Sequence, residues 1–242
     1  MATKIIGHRG ASGLVEYDSS VKSFEKAIEL GVDMVEFDVR RTKDGTLTAF
    51  HDSELDGEDI EDITHDEIQE ITGDKGYKVP TVEDVVRLCK GKIDLDIELK
   101  VEGYEEEVIE LVLSHLDHDG FIIKSFSDET VKSIKEYDPK IEAGLILGNL
   151  LLSIEDRENN VKTRISELFP KRRLRRCNAD FVAPYYRLLK FFFIRRMENM
   201  GMDIYVWTVN DVEMMKSLMK KGVEGIITDR PDLALELREG QK

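Results

Sequence analysis

In the stretch VEFDV (35–39), Glu36 and Asp38 stand two residues apart inside an otherwise apolar run. Side chains alternate across a strand, so both carboxylates share one face. The run IDLDIELK (93–100) repeats the pattern with Asp94, Asp96, Glu98 and Lys100. Three converging carboxylates, Glu36, Asp38 and Glu98, would repel one another unless they shared a cation, and their hard oxygens suit Mg²⁺ or Ca²⁺. Ion pairs with Arg9, Arg40 or Lys100 are the competing use, and the preferred one for Asp94 and Asp96. Two more apolar runs end in polar residues: KIIGHRG (4–10) presents His8 and Arg9, and TLTAFHD (46–52) presents His51. Imidazole titrates near neutrality, so His8 and His51 form a candidate acid and base pair. Arg9 and Lys100 suit a phosphate or a developing negative charge. The set describes metal-assisted phosphoryl chemistry. His65, His115 and His118 fall in an insertion or near a helix end and are expected at the surface.

Such a set needs a scaffold that brings strand ends together. Strand-like runs occur at 4–8, 34–39, 93–99, 121–126, 141–147, 180–184, 204–209 and 225–229. Between them lie amphipathic runs such as SVKSFEKAIELG (20–31), where Val21, Phe24, Ala27 and Ile28 recur at helical spacing and Gly31 suits a C-terminal cap. The alternation predicts a single-domain α/β fold over 1–242, a (β/α)8 TIM barrel, whose active site lies at the C-terminal ends of the strands; a doubly wound open sheet is the competitor. TLTAFHD reads as a short strand paired to the end of the second, turning at KDG (43–45), and about 52–79 as an acidic, irregular insertion. Segment 149–177 contains a helix-like stretch (153–169) followed by the basic run PKRRLRRC. Neither segment is expected to build its own core.

Composition narrows the function further. A formal charge of −15 over 242 residues opposes an extended nucleic-acid surface, while a small phosphate site stays compatible with it. No apolar run is long enough for a membrane span, and the first residues pass directly into a strand without a signal-peptide pattern, so a cytoplasmic location is expected. Cys89 and Cys177 lie far apart, outside any Cys-x-x-Cys pair, and are expected as reduced thiols.

The ordered motifs IGHRGASG, SFEKAIELGVDMVEFDVRRTKDGTLTAFHD, IELK, VWTVND and GVEGIITDRPDLALEL together resemble the glycerophosphodiester phosphodiesterase family. The resemblance spans most of the chain and includes an insertion after HD. It implies a distorted TIM barrel that hydrolyses glycerophosphodiesters to a glycerol phosphate and an alcohol. By resemblance, His8 and His51 act as acid and base, Glu36, Asp38 and Glu98 hold a divalent cation, and Arg9 and Lys100 clamp phosphate. The resemblance also implies a route through a cyclic phosphate, formed by a glycerol hydroxyl and opened by water.

Where the family usually carries Pro-Glu-Asn-Thr, this chain has YDSS (17–20) after Glu16. Asp18 or Glu16 could replace the missing carboxylate, and Ser19 or Ser20 could cap the following helix. Trp207 is either an apolar wall for the glycerol moiety or filler at the barrel mouth. Asn210 could orient a ligand or cap the next helix, and capping is the preferred reading. The stretch 171–196 sets basic residues beside aromatics: a packed helix from Phe191, Phe192 and Phe193 with a solvated KRRLRR loop is the preferred reading, and weak peripheral contact with an anionic membrane is the alternative. A lysophospholipase D-like activity would need these aromatics to form an acyl groove. A non-catalytic phospholipid-binding barrel would not need the five residues His8, His51, Glu36, Asp38 and Glu98 together.

Overall fold

A computed structural model describes residues 2–148, 165–190 and 192–240 of the chain. Among the described residues, eight parallel strands close on themselves: β1 (Lys4–His8), β2 (Met34–Arg41), β6 (Asp94–Leu99), β7 (Phe121–Ser125), β8 (Ala143–Leu147), β9 (Phe181–Pro184), β10 (Asp203–Val206) and β11 (Gly225–Thr228). Closure comes from β1, which pairs with both β11 and β2. The strand ladder is therefore a barrel and not the open sheet. The short β3 (Leu47–Ala49) runs antiparallel to β2, pairing Val39 with Ala49 as the KDG turn predicts.

The helices that cover the barrel follow the apolar spacing read in the sequence. In α1 (Val21–Leu30), Ser20 accepts a hydrogen bond from the Ser23 amide at the N-terminus, and Gly31 closes the C-terminus in the left-handed conformation, φ 70°. Its Phe24 and Ala27 are fully buried between helix and strands. The same layer takes α3 (Val82–Cys89), α4 (Glu105–Leu113), α5 (Asp128–Tyr137), α8 (Val212–Lys221) and α9 (Pro231–Glu239). The barrel lumen holds a second apolar cluster that includes Ile6, Met34, Ile122, Phe181, Tyr205 and Ile227. Two glycines make room for it: a Cβ on Gly144 would lie 2.0 Å from the Phe181 ring, and one on Gly225 would lie 2.5 Å from Tyr205.

Two segments differ from expectation. Residues 53–79 are not irregular. They form the hairpin β4 (Glu54–Leu55) with β5 (Glu58–Asp59) and the helix α2 (His65–Asp74), which starts at a Thr64–Glu67 capping box. Leu55, Ile60, Ile63, Ile68 and Val79 bury a small core of their own, because apolar residues are spaced through the acidic composition. The run KRRLRRC is a helix, α6 (Lys171–Cys177), not a loop: Leu174 and Cys177 pack inward, while Arg173 and Arg176 hold the buried Asp128. Most of the helix-like stretch 153–169, and Phe191, lie outside the described residues. Helix α7 (Phe193–Glu198) begins at Phe193, which is buried, whereas Phe192 is 80% exposed. Cys89 and Cys177 are buried free thiols. Among the described residues no helix is long and apolar enough to cross a membrane.

Candidate active site

The strand register assembles the site. His8 pairs with Glu36 between β1 and β2, and Glu36 and Asp38 pair with Asp96 and Glu98 between β2 and β6. One carboxylate oxygen each from Glu36, Asp38 and Glu98 lies within 4.8 Å of the others, and all three residues are buried. Lys100 Nζ sits 2.8 Å from Asp38 and 2.5 Å from Glu98. From the neighbouring strand β7, the buried Lys124 bonds Asp96 at 2.6 Å and approaches Glu36 at 3.5 Å. Arg9 adopts φ 50°, which lets its backbone N–H donate to Glu36 Oε2 at 3.1 Å while its guanidinium reaches Asp18 at 3.1 Å.

Four buried carboxylates thus face the cations of Lys100, Lys124 and Arg9, and with all four ionised one negative charge is in excess. Asp38 Oδ2 shows where it falls. It is buried with no hydrogen-bond partner among the described residues, since Arg9 Nε at 3.4 Å is close but not aligned to donate. A buried anionic oxygen without a donor is costly, and a hard cation would satisfy it. The donor set, three carboxylates and no thiol or imidazole, fits Mg²⁺ or Ca²⁺. Burial raises Glu98 to about 7, opposed by the charge of Lys100 and assisted by those of Asp38 and Glu36. Burial opposes ionisation of Asp38 as well, but Lys100, His51 and Arg9 overcome it and hold that carboxyl at about 2.

The two histidines have different surroundings. Burial alone would lower His8, yet the Glu36 charge and a 2.6 Å hydrogen bond from Nδ1 to Asp229 raise it. Its Nε2 remains directed at the carboxylate cluster, 3.9 Å from Glu36. His51 sits at the end of the segment after β3, with Nδ1 bonded to Asp52 at 2.7 Å and its backbone carbonyl held by Arg40. Burial lowers it, aided by the positive charges of Lys100 and Arg9 and only partly offset by Asp38. One imidazole is thus biased toward the protonated form and the other toward the neutral form, which is the asymmetry that acid–base catalysis uses.

All eight residues singled out from the sequence, His8, Arg9, Glu36, Asp38, His51, Glu98, Lys100 and Trp207, line one cleft of about 260 Å³ at the barrel mouth. The structure adds Lys124 and Phe126 to its lining. Trp207 donates Nε1–H to the Ala183 carbonyl and packs edge-on against Phe126, so it forms a fixed apolar wall. A wider cleft continues from it over Tyr185 and Tyr186. Asp229 is the main addition: it accepts from Ser12 Oγ at 2.9 Å and from Asn210 Nδ2 at 2.5 Å while holding His8. Asn210 is accordingly not a helix cap. Asp211 caps α8, and Asn210 fixes Asp229, accepting hydrogen bonds from its backbone N–H and from Thr228 Oγ1. In the YDSS loop, Asp18 pairs with Arg9, Ser19 is buried at φ 50°, and Ser20 is the cap of α1.

Known proteins resemble this chain over nearly all of its length. The sequence profile described as the glycerophosphoryl diester phosphodiesterase family matches residues 8–233. A glycerophosphodiester phosphodiesterase of Caldanaerobacter subterraneus subsp. tengcongensis is 30% identical over 255 residues, covering 98% of each chain. Among solved structures, a glycerophosphodiester phosphodiesterase from Parabacteroides distasonis superposes with a TM-score of 0.78 at 25% identity, covering 99% of this chain and 98% of the other. A phosphodiesterase of Oleispira antarctica, solved with the product sn-glycerol-3-phosphate, has the same fold, with a TM-score of 0.81 at 21% identity over 98% of this chain and 97% of that one. The chain belongs to the glycerophosphoryl diester phosphodiesterase family, whose members are phosphoric diester hydrolases.

Proposed function

We propose that the protein hydrolyses small glycerophosphodiesters to a glycerol phosphate and an alcohol, with the barrel and its insertion at about 52–79 acting as one unit. The observation that carries this reading is the convergence of His8, His51, Arg9 and Lys100 in one cleft with the clustered carboxylates of Glu36, Asp38 and Glu98. The Oleispira relative, solved with sn-glycerol-3-phosphate, holds a product of the class proposed here. Glu36, Asp38 and Glu98 would hold one divalent cation, Mg²⁺ or Ca²⁺, which supplies electrostatic stabilisation of the phosphate charge.

The remaining work falls to side chains. Arg9 and Lys100 place positive charge at the mouth where non-bridging phosphate oxygens would lie. His51 has Nδ1 committed to Asp52, so Nε2 is the atom free to take a proton from the attacking hydroxyl. His8, kept protonated by Asp229, gives a proton from Nε2 to the departing alkoxide. If a glycerol hydroxyl is the attacking group, the product of this step is a cyclic phosphate, and water opens it with the two imidazoles exchanging roles. Trp207 and Phe126 shield the glycerol side of the cleft from water. The lysophospholipase D-like alternative needs an acyl groove; of the described aromatics in 171–196, Tyr185 and Tyr186 line the cleft, whereas Phe193 is buried in the core and Phe192 faces solvent. The buried thiols of Cys89 and Cys177 fit a reducing, cytoplasmic setting.

A panel of glycerophosphodiesters assayed with Mg²⁺, Ca²⁺ or Mn²⁺, with EDTA, and with His8→Ala and Glu36→Ala decides the matter. Turnover that EDTA abolishes and that each variant lowers by roughly 10²-fold or more is expected. No turnover with any of the three cations, or full activity in either variant, would overturn the proposal.

A further inference from the structure

The stretch 171–196 carries nine basic residues and one acid, Asp180, a net of +8 inside a chain whose total is −15. Internal ion pairing accounts for only part of this charge. Arg173 and Arg176 hold Asp128, but Lys171, Arg172, Arg175, Lys190 and Arg195 are exposed and form no ion pair among the described residues. Apolar exposure is concentrated at the same place. Of five exposed large apolar side chains among the described residues, Ile165, Phe169 and Phe192 lie in or immediately before this stretch, at 54%, 55% and 80% exposure. Arg196 joins the two parts by donating to the Leu168 carbonyl at 2.6 Å and lying 4.3 Å from the centroid of the Phe169 ring.

The position of this surface relative to the site follows from the chain path. Strand β9 ends at Pro184, the next two residues, Tyr185 and Tyr186, line the cleft that opens from the site, and Lys190 and Phe192 follow within one short connection before α7. The basic and aromatic patch therefore starts at the rim of the mouth and continues along α6 and α7. We propose that this patch docks the protein on an anionic phospholipid bilayer, with Phe192 entering the interface and the unpaired lysines and arginines meeting the headgroups. Lipid is favoured over nucleic acid because exposed aromatic and aliphatic side chains accompany the charge, and interfacial binding uses both. The acidic remainder does not prevent docking, since repulsion fades beyond about 10 Å at 0.1 M salt while the patch would be in contact.

The test is flotation of the whole chain with vesicles of phosphatidylcholine alone or mixed with phosphatidylglycerol. Wild type is expected to float with the mixed vesicles at about 50 mM salt, to stay behind with phosphatidylcholine alone, and to be released at high salt. The Lys190→Glu/Arg195→Glu variant is expected to lower partitioning roughly tenfold or more with its melting temperature unchanged. Phe192→Asn, a substitution suited to φ 59° at that position, is expected to weaken binding at every salt concentration. Absence of flotation with anionic vesicles at low salt, or equal flotation of all variants, overturns the proposal. So does a dimer that forms without vesicles and is broken by Phe192→Asn, which would assign the patch to a second copy. Equal retention of a DNA duplex at the same salt would likewise remove the lipid assignment.

Discussion

His8 and Asp229 stand 221 positions apart and meet in a hydrogen bond of 2.6 Å. Asp229 is itself fixed by Ser12 and Asn210, so the carboxylate sets the tautomer of His8 and keeps a proton on its ring. Asp229→Asn retains the shape but removes the charge. Its expected effect is a fall in kcat of roughly 10²- to 10⁴-fold. Because the proposed role of His8 needs its acid form and the substitution lowers its pKa, the alkaline limb of the kcat profile should move to lower pH. A profile with both kcat and limb unchanged would remove Asp229 from catalysis. Lys124 supports the site differently. Glu36 loses its neighbouring buried cation in Lys124→Met, and the variant should bind a divalent cation with altered affinity in calorimetry even before substrate is present. Both residues carried a legible signal: Asp229 ends the apolar run GIITD, and Lys124 interrupts FIIKSF, as Glu36 and Asp38 interrupt VEFDV. What the sequence did not carry was register. Whether Lys124 stands beside Glu98 is decided by how the neighbouring strands β6 and β7 align, a property of neither strand alone.

The strands and helices themselves were legible, because continuous apolar runs and a helical repeat each force a distinct burial pattern. Helix α1 shows how an altered loop is absorbed. YDSS keeps the cap through Ser20, keeps a carboxylate for Arg9 through Asp18, and stacks Tyr17 on Tyr77 of the insertion at 4.1 Å. The insertion's own core was less legible, since its acidic composition masks five spaced apolar residues that only pack once α2 forms. Ser20→Ala removes the cap and should cost about 1 kcal/mol in urea unfolding, with cation affinity unchanged. Gly144→Ala should cost more, roughly 1–3 kcal/mol, because the added methyl meets the Phe181 ring inside a closed lumen. Equal stability of the Gly144 variant and wild type would show that Phe181 is free to move aside.

At the scale of the whole molecule, the site is a place where the barrel keeps charge in a setting that disfavours it, and the pH dependence of folding reports this. Asp229, held at about 2 by His8, Asn210 and Ser12 against its burial, stabilises the fold above its ordinary value of 3.8, and that contribution is lost as pH falls toward 2. Asp96 and Glu98 act in the opposite sense. Burial lifts them to about 6 and about 7, so the folded chain binds more protons than the unfolded one between about pH 4 and 7, and stability should fall as pH rises through that window. A bound divalent cation would hold Glu98 ionised and reverse the loss. In EDTA, the melting temperature should therefore decline between about pH 5 and 7.5; at pH 7.5, a cation at about 100 times its Kd should restore roughly 5–10 °C. Glu98→Gln should flatten both effects, lowering the slope in EDTA and the gain on adding Mg²⁺ or Ca²⁺. A melting temperature that ignores the cation in wild type would show that Glu36, Asp38 and Glu98 are satisfied by Lys100, Lys124 and Arg9 alone, and that the excess charge of the cluster is not a metal site.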